Sequence, residues 1–171
     1  NSVTKIRDES FSGCTGLKSV LIPETVVSMG GWAFEGCTSL SFAIIPDGVT
    51  RIEPGTFVRC SGLTSVRIPE SVTSIGRFAF GGCAALGFIH IPDSVRIIEE
   101  MAFEGCTSLT TVFIPQGVTG IERGMFRGCS GLTSVSISKS VTSIGANAFD
   151  GCIGIPWIYI PESVNSIGRD A

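Results

Sequence analysis

Hydrophobic residues recur along this chain at a fixed interval of 23. Phe11, Phe34, Phe57, Phe80, Phe103, Phe126 and Phe149 are each followed three residues later by a cysteine, from Cys14 to Cys152. Each cysteine is followed eight residues later by an isoleucine, from Ile22 to Ile160. A period of this length predicts a solenoid, because one such unit cannot bury its own apolar face and must share a core with its neighbours. In the unit at 72–94, apolar residues alternate in two places, Leu86, Ile89 and Ile91 around a short strand and Val72 with Ile75 around an extended segment. Period-two spacing predicts two short extended segments per coil. The chain thus reads as one solenoid over residues 1–171, with seven full coils over 3–163 and a partial coil over 164–171.

Proline follows the last strand isoleucine at Pro23, Pro46, Pro69, Pro92, Pro115 and Pro161. It cannot donate to a ladder, so the strand ends there and the chain turns. Glycines such as Gly76, Gly145 and Gly168 are expected to permit a second corner, and the Ala-Phe-x-Gly-Cys stretch has room for a single helical or 3₁₀ turn. The expected fold class is therefore a repeat solenoid of mainly short parallel β-strands with one helical or 3₁₀ turn per coil. The sequence ends at Ala171, one residue short of the next phenylalanine of the series, which reads as a segment of a longer array.

Composition narrows the function classes. The chain is 43% hydrophobic and carries a net charge of -3 from 12 basic and 15 acidic residues, with no block of either sign. That balance argues against a nucleic-acid footprint. Apolar runs are broken by Pro, Gly or charge well short of the roughly 18 residues that a membrane helix needs, so no direct membrane insertion is expected. All seven cysteines belong to the repeat series. Parallel side chains on neighbouring rungs do not aim at one another, so they are expected to be buried free thiols. With one histidine, His90, and no paired cysteine motif, no metal or cofactor is expected and no catalytic constellation is formed.

The pattern L-x-x-V-x-I-P-x-x-V-T-x-I-x-x-x-A-F-x-G-C resembles the BspA-type leucine-rich repeats of bacterial surface proteins and of many protist and algal proteins. The resemblance covers the whole chain. Ser138 in place of the proline, Arg59 in place of the glycine, and Ser10, Thr56 and Met125 in place of the alanine are its few departures. It implies a curved solenoid with a parallel sheet on the concave face, a role in adhesion or protein binding, and no enzyme activity. It also implies a cell-surface or secreted location, while the free thiols are compatible with a reducing compartment.

Function in a repeat protein is sought where the pattern varies. Along the strand before the proline, one outward row reads Ser19, Phe42, Ser65, Phe88, Thr111, Ser134, Trp157, and the other Leu21, Ile44, Arg67, His90, Phe113, Ser136, Tyr159. Strands about 4.8 Å apart bring both rows onto one open face. Exposed apolar patches mark interaction sites and aromatic anchors favour hot spots. The partner-binding candidates are Leu21, Phe42, Ile44, Arg67, Phe88, His90, Phe113, Trp157 and Tyr159, for a protein or peptide partner. The alternative is a structural spacer or subunit of a larger complex, whose neighbour covers these rows. A second variable row holds Trp32, Phe78 and Met101 and is read as local packing over a turn. Glu24, Asp47, Glu70 and Asp93 read as a solvated turn, and Glu99 and Glu122 as surface ion-pair partners of Arg77 and Arg123.

Overall fold

Residues 2–171 are described by the structure, a computed structural model. Its coils, numbered 1 to 7 from 3–25 to 141–163, stack in parallel and in register. The Val-Thr-x-Ile stretch of each coil gives a two-residue strand: β1 (Lys5–Ile6), β2 (Ser28–Met29), β4 (Arg51–Ile52), β6 (Ser74–Ile75), β7 (Ile97–Ile98), β9 (Gly120–Ile121), β11 (Ser143–Ile144) and β12 (Ser166–Ile167). The segment before the proline gives three-residue strands in four coils: β3 (Phe42–Ile44), β5 (Ser65–Arg67), β8 (Thr111–Phe113) and β10 (Ser134–Ser136). Every pairing joins residues 23 apart, as Phe42 with Ser65 or Ser134 with Thr111. After each strand the amide of the next coil's valine donates to the carbonyl of the proline three residues back, as Val72 to Pro69 at 3.1 Å. Ser138 serves equally well there, because the turn needs only its carbonyl, which accepts from Val141 at 3.2 Å.

The core is a set of ladders. Phenylalanine rings stack through all seven coils with centroids 5.1–5.6 Å apart and planes within 10°. Beside them the cysteines from Cys37 onward are buried and free, and each Sγ–H donates to the carbonyl of a phenylalanine 26 residues back, as Cys83 to Phe57 at 3.2 Å. Cys14 is the exception to the expected burial: it is exposed, because its coil is covered on one side only.

No helix forms in the Ala-Phe-x-Gly-Cys stretch, which corrects the expected helical or 3₁₀ turn. Such a turn needs successive amides to donate within the coil. Here they alternate. Val58 and Cys60 donate three residues back, to Gly55 and Phe57, whereas Phe57 and Arg59 donate outward to Ala79 and Gly81 of the next coil. Two left-handed residues per coil produce this alternation, at the Gly55 and Arg59 positions (φ 64 and 60). Trp32, Phe78 and Met101 occupy the first of them with φ of 53, 54 and 57. Such a conformation costs an L-residue about 1–2 kcal/mol. The glycine corner also has a different cause from the one expected. Gly76 and Gly145 do not have positive φ; a Cβ at either would lie 2.6 Å from the backbone nitrogen of Pro54 or Arg123 in the coil before. Close approach of two chains, not a turn, excludes side chains there.

The sheets are interrupted, and hydroxyl groups explain where. Thr25, Ser71, Ser94, Ser140 and Ser163 each donate to the carbonyl of a valine 22 residues back, at 2.7–2.8 Å. Gly48 and Gly117 hold this place in coils 2 and 5, and there the pairing breaks between β2 and β4 and between β7 and β9. In the second sheet Ser41, Thr64, Thr110 and Thr133 donate similarly to the coil before. Gly87 lacks the hydroxyl and Pro156 lacks even the N–H, and in this second sheet no strand pairing joins coils 3 and 4 or coils 6 and 7. Both kinds of break recur three coils apart. The sequence shares that longer period: coils 2 and 5, 3 and 6, and 4 and 7 share 12, 15 and 13 of 23 residues, against 6 to 10 for adjacent coils.

Candidate interaction surface

The strand before the proline alternates as its period-two pattern predicts. Ala43, Ile89 and Val112 point into the core, and their neighbours on either side point out. All nine candidate residues are exposed. Leu21 is 92% exposed and Trp157 75%, but these lie in coils 1 and 7, covered on one side only. The decisive residues are in the middle of the array, where Phe88 is 53% and Phe113 59% exposed although coils flank them on both sides. Phe42 and Ile44 are likewise exposed.

Two local contacts define the face further. Leu21, Phe42 and Ile44 surround a hollow of about 150 Å³ with Glu24 at its edge. Arg67 reaches the carboxylate of Asp47 at 3.3 Å, which fixes the acidic file beside the second outward row. Arg67 is therefore a paired residue, not a free outward contact. His90 stands on the face with no side-chain hydrogen bond, and Ser65, Ser134 and Ser136 likewise direct unpartnered hydroxyls outward among the described residues. Reading each coil alone missed the acidic border as a part of this face; the two-residue offset from Ile44 to Asp47's proline corner was its signal.

The other variable positions serve the fold. The indole of Trp32 lies where a Cβ on Gly55 would be, 2.4 Å from that position, and Met101 covers Gly124 in the same way. Trp32 and Met101 each lean on a glycine of the next coil, and Phe78 lies against Gly81 of its own, which supports the reading as turn packing. The Arg77 guanidinium lies 5.1 Å from the Phe78 ring centroid. Glu99 pairs with Arg51 at 2.8 Å and accepts the backbone amide of Arg77 at 2.9 Å, so its ion-pair partner is the arginine two coils away and not the expected Arg77 guanidinium. Among the described residues no group of His, Cys, Asp or Glu converges as metal ligands, and no helix is long and apolar enough to cross a membrane.

Burial removes the thiols from reactivity. Loss of hydration around the thiolate pushes Cys60 and Cys106 from the ordinary 9.0 up to about 12 and Cys152 to about 11, and raises Cys37, Cys83 and Cys129. The thiolate is the nucleophile, so these groups are inert at neutral pH.

A profile of the BspA type leucine rich repeat region, in 6 copies, matches residues 1–107 and 56–171. The chain belongs to this family. The BspA-type solenoid also superposes on solved structures. The leucine rich repeat protein of T. pallidum is 31% identical with a TM-score of 0.86, over 95% of this chain and 80% of that one. A leucine rich cell surface protein of Faecalibacterium prausnitzii A2-165 is 38% identical with a TM-score of 0.66, over 97% of this chain but 39% of its own. A leucine-rich repeat protein of Bacteroides ovatus ATCC 8483 is 25% identical with a TM-score of 0.62, covering 98% and 67%. No curated protein matches the chain. BspA-type repeats form a scaffold of the interaction and adhesion type with no enzymatic class attached.

Proposed function

We propose that this solenoid is a protein-binding module of adhesion type, working through the outward face of the strands before the proline. The observation that carries the reading is the exposure of Phe42, Ile44, Phe88 and Phe113 in the interior of the array, where neighbouring coils cannot account for it. At the same positions Ser65 and Ser134 show that the coil folds without an aromatic group. The similarity to a leucine rich cell surface protein supports the adhesion-type setting.

The experiment compares the native chain with Phe88→Ser, which copies Ser65, and with Phe78→Ser on the turn side. Both are immobilised and their cross-linked partners from surface and matrix extracts quantified. Phe88→Ser is expected to leave stability within about 0.5 kcal/mol, as for most surface changes, and to weaken the interactions that a hot-spot aromatic anchors by about 2 kcal/mol. Retention of every interaction by Phe88→Ser and Trp157→Ser, with loss in Phe78→Ser, would move the binding face to the turn side.

A further inference from the structure

The three-coil period divides the outward face into two stations, each with an aromatic pair two rungs apart. In the first, Phe42 and Ile44 of coil 2 and Phe88 of coil 4 rise on either side of Ser65 in coil 3. In the second, Phe113 of coil 5 and the Trp157 and Tyr159 pair of coil 7 flank Ser134 and Ser136 in coil 6. In the first an aromatic pair two rungs apart, Phe42 and Phe88, flanks Ser65, with Arg67 beside it; in the second the pair is Phe113 and Tyr159 in the other row, flanking Ser136. At roughly 4.8 Å per rung the members of each pair stand about 9.6 Å from each other. Three residues of a polyproline II chain advance about 9.3 Å and return to the same face. Aromatic pairs at that interval match the way such chains dock in aromatic-lined grooves.

Charge adds the second constraint. Glu24, Asp47, Glu70 and Asp93 run in single file along one border of the first station. Within that border, among the described residues, only Asp47 has an ion-pair partner, Arg67; Glu24 accepts the Asp47 amide at 3.4 Å and Arg96 bonds the Asp93 carbonyl. Glu24 opens directly into the hollow shared by Leu21, Phe42 and Ile44. A segment lying along the rows would carry its side groups past this file. A neutral ligand would gain nothing from it.

We infer that the face takes an extended polypeptide segment of polyproline II type, laid along the solenoid axis, with apolar residues at i and i+3 set against an aromatic pair two rungs apart and lysine or arginine facing the acidic file. This rests on the sheet being the binding face. Two stations make the binding bivalent: a tandem segment engages both, and the second contact is intramolecular. The first station is the more electrostatic of the two, because in coils 5 and 6 the file continues as Gln116 and Lys139.

The test is a selection of random displayed peptides on the intact protein, followed by calorimetry with the synthetic consensus. The expected consensus has net positive charge and apolar residues or proline at i and i+3. Its affinity should fall several-fold in Glu70→Gln/Asp93→Asn and in Phe88→Ser, and that of a two-motif peptide should exceed the one-motif peptide by at least tenfold. The salt dependence should weaken in Glu70→Gln/Asp93→Asn, since screening acts on the border charges. Failure to enrich any peptide, an acidic consensus, or selective binding on a glycan array would overturn the inference. Peptides lacking the charge and spacing but sensitive to Phe88→Ser would overturn it while leaving the sheet as the binding face. Insensitivity to Phe88→Ser and Trp157→Ser would remove both.

Discussion

The seam between coils 5 and 6 offers a sharp test of how these coils adhere. Val95 is buried, and its carbonyl lacks the serine hydroxyl that caps the equivalent carbonyls of Val49, Val72, Val118 and Val141. Arg96 substitutes for it, with Nη1 bonded to the Val95 carbonyl at 3.2 Å and to that of Asp93. A Cβ on Gly117 would lie 2.0 Å from that nitrogen. Gly117→Ser alone must therefore expel the guanidinium, and Arg96→Thr alone leaves the carbonyl uncapped; each is expected to cost about 1 kcal/mol. Together they recreate the Thr73–Ser94 arrangement of coil 4, with the serine hydroxyl on Val95 and the Thr119 amide on residue 96. Two bonds at about 1 kcal/mol each, against the two arginine bonds lost, predict a double variant about as stable as the native chain and a coupling energy of about 2 kcal/mol. Urea unfolding of the four proteins measures it. Additivity within about 0.5 kcal/mol would mean that the two residues act independently and that the seam has another cause.

Denatured protein should titrate seven thiols but native protein only one rapidly, Cys14, and Cys14→Ser should remove that phase; a second fast thiol would show that the ladder breathes. Phe80→Ala removes a ring stacked at 5.6 Å on both sides and should cost about 3–5 kcal/mol, whereas Phe11→Ala removes a partly exposed ring with one neighbour and should cost clearly less by thermal melting; equal losses would contradict nearest-neighbour stacking. Because the folded chain holds the thiols of Cys60 and Cys106 protonated up to about 12, their contribution is fully present below pH 9 and is lost between pH 9 and 12, where the unfolded chain releases protons that the folded one keeps. Stability should therefore fall across that window by on the order of 1 kcal/mol per pH unit for each such thiol, and alanine at Cys60 and Cys106 should flatten the decline.

The sequence by itself determined the coil. An unbroken series of phenylalanine, cysteine and isoleucine at 23-residue spacing has one physical solution, parallel stacking with like residues in contact, and the outward rows follow from strand alternation alone. The nine candidate positions were legible for that reason, since inward and outward are set by counting in twos. What the tertiary structure decided is how backbone groups divide between one coil and the next. Phe57 and Arg59 give their amides to the following coil, so a stretch with room for a helical turn has none. Gly76 is required by the backbone of Pro54 lying against it, a neighbour 22 residues away that local turn chemistry does not see. The fate of Glu99 depended on Arg51 reaching across two coils, and the role of Trp32 on a glycine beneath its ring. The seams at Gly48, Gly87, Gly117 and Pro156 became meaningful once the hydroxyl rows were in place, because a missing donor matters only opposite the carbonyl it would have met.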